Sequence, residues 1–258
     1  INNSDRALLL LAGEIVTGGK QDRVVGRDRI IPAHSEPVAL DVFCVEPHRW
    51  MSASAQFGAS GSAMAQPSVR SKAMADRNQQ EVWNEVAKSR AAFVAGVPAP
   101  QAQAIESSSS YAAAVQNGEV KRQLDSIAVP IERSYQKLIQ QLRVENAVGA
   151  VVAVNGEIIW VDVFASPALL EKYWPKLVRS YAAEAFTPRH FPVISGGLPS
   201  RESAQKFLDR LYGNHENVET EPGVYRRTEI QGDDFDAFLL TSLLPNTGFQ
   251  VHIAKMRH

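Results

Sequence analysis

The fold class is decided by Val148–Val154 (VGAVVAV), the dipeptide Asn155-Gly156 and Glu157–Phe164 (EIIWVDVF). Two apolar segments joined by Asn-Gly predict a β-hairpin, because Asn and Gly tolerate the positive φ angles of a type I′ turn. The second segment runs into Ser166-Pro167, a side-chain N-cap followed by proline at the first helical position. The stretch therefore predicts a hairpin that leads directly into a helix.

Before and after this hairpin in the sequence, apolar residues recur at the spacing of an α-helix. This spacing predicts helices over Asp76–Val94 and about Pro130–Val144, a helix after Ser166 and another capped by Ser200. Pro175 lies inside the third of these, so we expect that helix to kink or restart there.

Strands are predicted at both ends of the chain. The runs Ala7–Ala12 and Val38–Val45 have the apolar and β-branched composition of strands, and Gly223–Met256 is typical of a three-stranded antiparallel meander. Strands at both ends and in the middle, with helices between them, favour an α+β fold with a mostly antiparallel sheet.

Two segments, 51–75 and 95–119, are rich in Ala, Ser, Gly and Pro. Such composition buries little apolar area, so we expect both to be long, mobile surface loops within a single domain spanning residues 1–258. The chain opens at Ile1 almost directly into an apolar run, so we also expect that an N-terminal segment is missing. Localisation therefore stays open between cytoplasmic and exported.

Composition excludes several classes of protein. The 258 residues carry 27 Lys+Arg and 28 Asp+Glu, a formal charge of −1, which argues against a nucleic-acid-binding or membrane-surface protein. No apolar run approaches the roughly 18 residues of a membrane span. Cys44 is the only cysteine, so a disulfide framework and a multi-cysteine metal site are excluded. The oligomeric state stays open.

The segment Gly13–Gln21 (GEIVTGGKQ) is similar to a phosphate loop. Its spacing to Gly19-Lys20 is one residue too long, and Gln21 stands where the magnesium-binding hydroxyl belongs, so a nucleoside triphosphate site of that kind is not expected. What remains is a glycine-rich turn with a dense set of polar side chains: Lys20, Gln21, Arg23, Arg27 and Arg29. Such a turn can form an anion-binding concavity, or its charges can be solvated or paired with one another.

Cys44, Glu46 and His48 alternate along a predicted strand and would point to one face. Pro47 interrupts this strand and no fourth ligand is present, so we predict no metal and no cofactor. Trp50 follows Arg49 directly, and this pair can stack on a ligand or on each other.

Several blocks, in the same order from Ala12 to Tyr181, resemble the ARG and rhodanese-phosphatase-superfamily-associated protein domain, an uncharacterised bacterial family. The blocks are Ala12–Arg23, Phe43–Glu46, Arg49-Trp50, Asn78-Gln79, Val82-Trp83, Val154–Gly156, Phe164–Pro167 and Trp174–Tyr181. The resemblance implies an association with ADP-ribose and phosphate metabolism through neighbouring domains, but no particular reaction. Pro47-His48 departs from the family pattern, in which a polar residue and a glycine commonly follow Glu46.

These observations lead to the hypothesis of a polar pocket that binds or hydrolyses an anionic small molecule, a nucleotide or an ADP-ribose derivative. Glu14 or Glu46 would be the general acid or base. The predicted ligand-binding residues are Gly18, Gly19, Lys20, Gln21, Arg23, Arg49 and Trp50. The alternative is a non-enzymatic interaction module in which the same charges form structural ion pairs and the Ala/Ser-rich segments present a partner surface. A cavity beside these residues would favour the first hypothesis, and mutual pairing without a cavity the second.

Overall fold

The computed structural model describes residues 1–48, 54, 57–187, 198–245 and 248–258. Within these residues it contains seven α-helices and three mostly antiparallel sheets, which confirms the α+β class. The strands are β1 (Leu8–Leu10), β2 (Glu14–Gly18), β3 (Arg23–Val25), β4 (Arg29–Ile31), β5 (Val42–Cys44), β6 (Phe57–Met64), β7 (Gly149–Val154), β8 (Glu157–Phe164), β9 (His215–Glu221), β10 (Tyr225–Gln231), β11 (Phe235–Ser242) and β12 (Gln250–Arg257). The helices are α1 (Pro67–Ser71), α2 (Gln79–Ala95), α3 (Ala99–Glu106), α4 (Tyr111–Gln116), α5 (Gly118–Val144), α6 (Pro167–Phe186) and α7 (Arg201–Asp209), with a π-helical segment at Lys72–Asp76.

The largest sheet has six strands in the order β7-β8-β12-β11-β10-β9, and every neighbouring pair is antiparallel. The predicted hairpin is confirmed as β7 and β8, with φ angles of 53° at Asn155 and 85° at Gly156 in the turn. The predicted meander is confirmed as β10, β11 and β12, and β9 extends it at the edge. The pairing of β8 with β12 joins the hairpin to the meander.

The N-terminal part forms two smaller sheets, β5-β3-β2-β6 and β1-β4. The predicted strands at Ala7–Ala12 and Val38–Val45 are real but shorter, because only β1 and β5 within them make ladder pairs. Of their flanking residues, Ala12 lies in a turn and Val45 in a bend, and residues 38–41 have no regular secondary structure.

The prediction that 51–75 and 95–119 are loops is wrong for much of both segments. The first contains β6, α1 and most of the π-helical segment, and the second contains α3 and α4. A few large apolar side chains anchor these elements, since Val69, Met74, Ile105 and Tyr111 are each at most 3% exposed. The many small residues allow close packing around these anchors, which average composition does not reveal.

Two predicted helices have different limits in the structure. The helix expected from Asp76 begins at Gln79, where the Asn78 side chain caps the free N–H groups of Gln80 and Glu81. The helix expected from Pro130 begins twelve residues earlier at Gly118, capped by Asn117, and continues through Pro130. Likewise, α6 runs through Pro175 without restarting. Packing between α5 and α6 stabilises these proline-containing helices.

Helices cover both faces of the six-stranded sheet. On one face Trp160, Phe164 and Met256 pack with α6, and on the other Val161 and Phe235 pack against Phe207 of α7. A further core lies between the four-stranded sheet and helices α2 to α6. Among the described residues, no helix is both long and apolar enough to cross a lipid bilayer.

Candidate functional site

A cleft of about 1350 Å³ opens beside the glycine-rich turn. One wall consists of the end of β2 and the start of β6, and the opposite wall of α4, α5 and α6. The cleft is large enough for a nucleotide-sized molecule. Its polar side chains with described positions include Thr17, Asp22, Glu46, Ser54, Ser108, Ser110, Gln116, Lys121, Asp125 and Arg179.

The acidic part of the cleft is built by Asp22 and Glu46, which are 7% and 5% exposed. The backbone N–H of Asp22 donates to Glu46 Oε2 at 3.0 Å. Ser110 Oγ donates to Asp22 Oδ2 at 2.7 Å, and the Gly18 N–H donates to Asp22 Oδ1 at 3.3 Å. These bonds fix two carboxylates side by side at the base of the turn.

The turn itself requires glycine. Gly18 and Gly19 have φ angles of 120° and 55°, which L side chains rarely adopt. A Cβ atom on Gly19 would lie 2.5 Å from Cζ of Phe57, so this aromatic ring rests directly on the turn. Phe57 also lines the cleft and is 53% exposed, which leaves ring area for stacking on a ligand.

The basic part of the cleft is formed by Lys121 of α5 and Arg179 of α6. Asp125 lies between them, with Oδ2 at 2.6 Å from Lys121 Nζ and Oδ1 at 3.3 Å from Arg179 Nε. Arg179 also pairs with Glu132 at 2.5 Å. Asp125 Oδ1 is buried yet accepts no hydrogen bond among the described residues. The carboxylate therefore accepts a hydrogen bond from Lys121 through Oδ2, while Oδ1 is held near Arg179 by charge.

The structure brings some of the predicted catalytic and ligand-binding residues to the cleft. Gly18 and Glu46 line it, and Gly19 lies under Phe57 at its rim. Arg49 and Trp50 lie outside the described residues.

Three predicted polar residues of the turn are placed differently. Gln21 is buried, donates to the Glu46 carbonyl at 3.3 Å and accepts from Arg23 Nη1 at 2.9 Å. Lys20 is exposed at the tip of the turn. Lys20, Gln21 and Arg23 do not line the cleft, so the contacts of Gln21 and Arg23 stabilise the turn outside the cleft.

Glu14, the other predicted acid or base, does not line the cleft. Its Oε2 accepts the Leu11 N–H at 2.8 Å, and its Oε1 is paired with Lys176. Lys176 and Arg179 occupy one helix, but they pair with different carboxylates. Glu14 thus ties β2 to α6, which is a structural position.

No group of three or more His, Cys, Asp or Glu side chains is placed to hold a metal ion in the described parts of the chain. Cys44 is buried, and its Sγ accepts the Glu46 N–H at 3.4 Å. His48 has a φ angle of 72°, so the chain turns out of the extended conformation there.

A second cleft of about 1120 Å³ lies between the α1–α2 region and β9 to β12. Many of its charged side chains are paired with one another. The pairs are Lys72–Asp76, Arg77–Glu229, Lys88–Glu85 and His258–Asp236. None of the predicted site residues lines it, so the cleft beside the glycine-rich turn is the stronger candidate.

Sequence reasoning missed a buried charge network at the junction of the large sheet and the N-terminal part. Asp162 of β8 accepts two bonds from Arg70 at 3.0 and 3.1 Å and faces His252 Nε2 at 3.0 Å. His252 Nδ1 lies 2.5 Å from Asp28 Oδ2, and Asp28 Oδ1 accepts the Ala12 N–H at 2.7 Å. The four charged side chains are at most 5% exposed. The signal in the sequence was a carboxylate in the middle of an otherwise apolar strand.

Neighbouring charges decide the protonation states in this network. Burial alone would raise the pKa of Asp162, but Arg70 and His252 hold it well below its usual range. Burial alone would lower the pKa of His252, but Asp28 and Asp162 raise it to about 9. Two cations and two carboxylates therefore balance inside the core at neutral pH.

Fold and site together define a class of protein: an α+β chain with a cleft of small-molecule size beside a glycine-rich turn. The model of the ARG and Rhodanese-Phosphatase-superfamily-associated Protein domain matches residues 1–254, so the chain belongs to this family, which its description links to the rhodanese-phosphatase superfamily. No curated protein and no solved structure matches the chain.

Proposed function

We propose that the cleft beside the glycine-rich turn binds an anionic small molecule of the nucleotide or ADP-ribose type. The anionic group would lie against Lys121 and Arg179, and the hydroxyl groups of the sugar against Asp22 and Glu46. Guanidinium and ammonium groups bind phosphate by charge-assisted hydrogen bonds, and carboxylates accept hydrogen bonds from sugar hydroxyls.

The observation that carries this proposal is the separation of charge in a single cleft. Two buried carboxylates belong to the wall formed by the turn, and both cations of the cleft, with Asp125 between them, belong to the wall formed by α5 and α6. Phe57 adds an exposed aromatic surface beside them, as a purine ring requires. A ligand with a charged end and a neutral polar end complements this arrangement.

Asp125 provides the mechanism of anion uptake. Its pairs with Lys121 and Arg179 hold both cations at the wall of the cleft. A phosphate group carries more charge than one carboxylate and presents more acceptor oxygens, so it can take over part of these contacts.

If the bound molecule is hydrolysed, Glu46 is the candidate general acid or base, because it lines the cleft and Glu14 does not. The alternative of a non-enzymatic module draws support from Glu14 and Arg23, which are paired with other side chains. The cavity beside Gly18 and Glu46 favours the ligand-binding hypothesis over it.

Isothermal titration calorimetry with ADP-ribose, AMP and ribose 5-phosphate tests the proposal. We expect one of them to bind, and Arg179→Gln or Lys121→Gln to weaken binding by about 10- to 100-fold, the value of a charge-assisted hydrogen bond. Lys20→Ala and Arg23→Ala test the remaining predicted cations of the turn.

Arg143→Gln is the matched control, because Arg143 lies on α5 and pairs with Glu171 but does not line the cleft. Product analysis with Glu46→Gln then separates hydrolysis from binding: a catalytic role predicts loss of product with only a modest loss of affinity, because the amide oxygen still accepts a hydrogen bond from a sugar hydroxyl. The proposal fails if none of the three compounds binds, or if Arg179→Gln and Lys121→Gln bind as Arg143→Gln does.

A further inference from the structure

A second group of charged side chains lies away from the cleft, where the β3–β4 connection meets β9 and β10. Arg27 Nη1 and Arg227 Nη2 contact the same atom, Glu219 Oε2, at 2.9 and 2.6 Å. The two guanidinium groups therefore face each other across a single carboxylate oxygen. We call Arg27 and Arg227 the arginine pair.

Arg227 is not satisfied by this contact. Its side chain is 6% exposed, yet Nε, Nη1 and Nη2 donate no hydrogen bond among the described residues. Nη2 is paired by charge with Glu219 at 2.6 Å, whereas Nε and Nη1 have no hydrogen-bond acceptor among the described residues. Buried donors normally have partners, so a buried guanidinium with unused N–H groups indicates a missing acceptor.

The second carboxylate of the group does not supply that acceptor. Asp41 Oδ2 lies 3.7 Å from Arg27 Nη1 and 3.8 Å from Arg227 Nη1, too far for a hydrogen bond to either. A cavity of about 20 Å³ borders both arginines, which is room for one water-sized group. Acceptor oxygens of a ligand can thus approach the arginine pair, provided that Glu219 moves.

Glu219 is free to make that movement. It is 51% exposed and belongs to β9, an edge strand of which every residue is exposed. The Arg27 and Arg227 side chains are only 22% and 6% exposed, so we expect them to keep their positions when the Glu219 side chain rotates away. The cations are built into the fold, while their carboxylate is at the surface.

We propose that the arginine pair is a binding site for a phosphate group and that Glu219 is an internal substitute which the phosphate displaces. The planar guanidinium fork matches the spacing of phosphate oxygens, so Arg27 and Arg227 each offer two N–H groups to the ligand. The site is separate from the cleft and does not depend on the function proposed for it.

Calorimetric titration with inorganic phosphate, at ionic strength held constant with chloride, tests this inference. We expect Glu219→Gln to bind phosphate about tenfold more tightly than the unaltered protein, because the competing charge is removed. Glu221→Gln, which removes one charge from the same exposed strand, is the matched control and should change affinity less than about twofold.

Arg227→Lys and Arg27→Gln should each weaken phosphate binding about tenfold or more. Arg27 is partly exposed, so Arg27→Gln remains informative if Arg227→Lys does not fold. Arg179→Gln assigns the signal, since phosphate bound in the cleft would be lost there and phosphate at the arginine pair retained. A parallel titration with phosphoserine distinguishes a phosphate ester from the free ion.

The inference is overturned if Glu219→Gln binds phosphate no more tightly than Glu221→Gln. It is also overturned if Arg27→Gln retains the affinity of the unaltered protein, or if Arg179→Gln alone abolishes binding.

Discussion

Replacing Asp162 by asparagine should destabilise the protein more than any other single change of one charge described above. The carboxylate accepts bonds from Arg70, Trp160 and Tyr181 and faces protonated His252, at 2.5 to 3.1 Å. A neutral amide at this position would leave two buried cations with Asp28 as the one remaining carboxylate of the network. Removing one partner of a buried ion pair costs about 3–5 kcal/mol, a large part of the roughly 5–15 kcal/mol that stabilises a typical domain.

Urea unfolding at pH 7, followed by tryptophan fluorescence, measures this loss. A decrease of about 4 kcal/mol corresponds to a melting temperature lower by roughly 10 °C for a protein of this size. Asp234→Asn is the control, because Asp234 pairs with Arg210 at 2.7 Å while both side chains are at least 40% exposed, and such pairs contribute at most about 1 kcal/mol. If Asp162→Asn costs no more than Asp234→Asn, the network does not hold the charges assigned to it.

Three further predictions concern other parts of the fold. The pKa of His252 is raised to about 9, so its charged form stabilises the folded protein by about 3 kcal/mol below about pH 6.5. This contribution should disappear as the pH rises through 9. Urea unfolding across this range should show the decline in stability, and the decline should be absent in His252→Gln. Gly13→Ala should cost about 2 kcal/mol or more in urea unfolding, because Gly13 has a φ angle of 95° and an added Cβ would lie 2.5 Å from Arg70 Cγ. Lys255→Met should increase hydrogen exchange in α7, because Lys255 Nζ donates to the Phe207 and Arg210 carbonyls at the end of that helix.

Each of these predictions has an outcome that contradicts it. A flat pH profile between 6.5 and 9 would show that His252 is not charged in the folded state. Gly223 also has a positive φ angle, 72°, but no atom within 4 Å of an added Cβ, so Gly223→Ala should cost less than Gly13→Ala. Unchanged exchange in α7 would mean that Lys255 contributes nothing to its C-terminal end.

Local signals in the sequence predicted much of the fold. The Asn155-Gly156 turn, the cap at Ser166 and the cap at Ser200 depend on neighbouring residues, and each of these elements is present. Average composition was misleading for 51–75 and 95–119, because a few large side chains such as Tyr111 are enough to anchor a helix among small residues. The start of α5 was missed because proline favours the first turn of a helix, so the sequence indicates a beginning at Pro130, whereas α5 starts at Gly118 and continues through Pro130.

Local sequence signals predicted only part of the candidate site. Gly18 and Glu46 were found because each lies in a short motif that can be recognised in the sequence by itself. Lys121, Asp125 and Arg179 come from two helices far along the sequence, and no local pattern pairs them with the turn. Sequence separation hides such partners, and only the packing of α5 on α6 brings them together.

The position of β12 inside the large sheet has a consequence for synthesis of the protein on the ribosome. The hairpin β7-β8 is complete by residue 164, but the neighbour of β8 on its other side is β12, which ends at residue 257. His252, on that same strand, is also needed to balance Asp162. The nascent chain therefore carries an open edge on β8, and Asp162 lacks its His252 partner, until β12 emerges; during this interval chaperones and aggregation compete with folding.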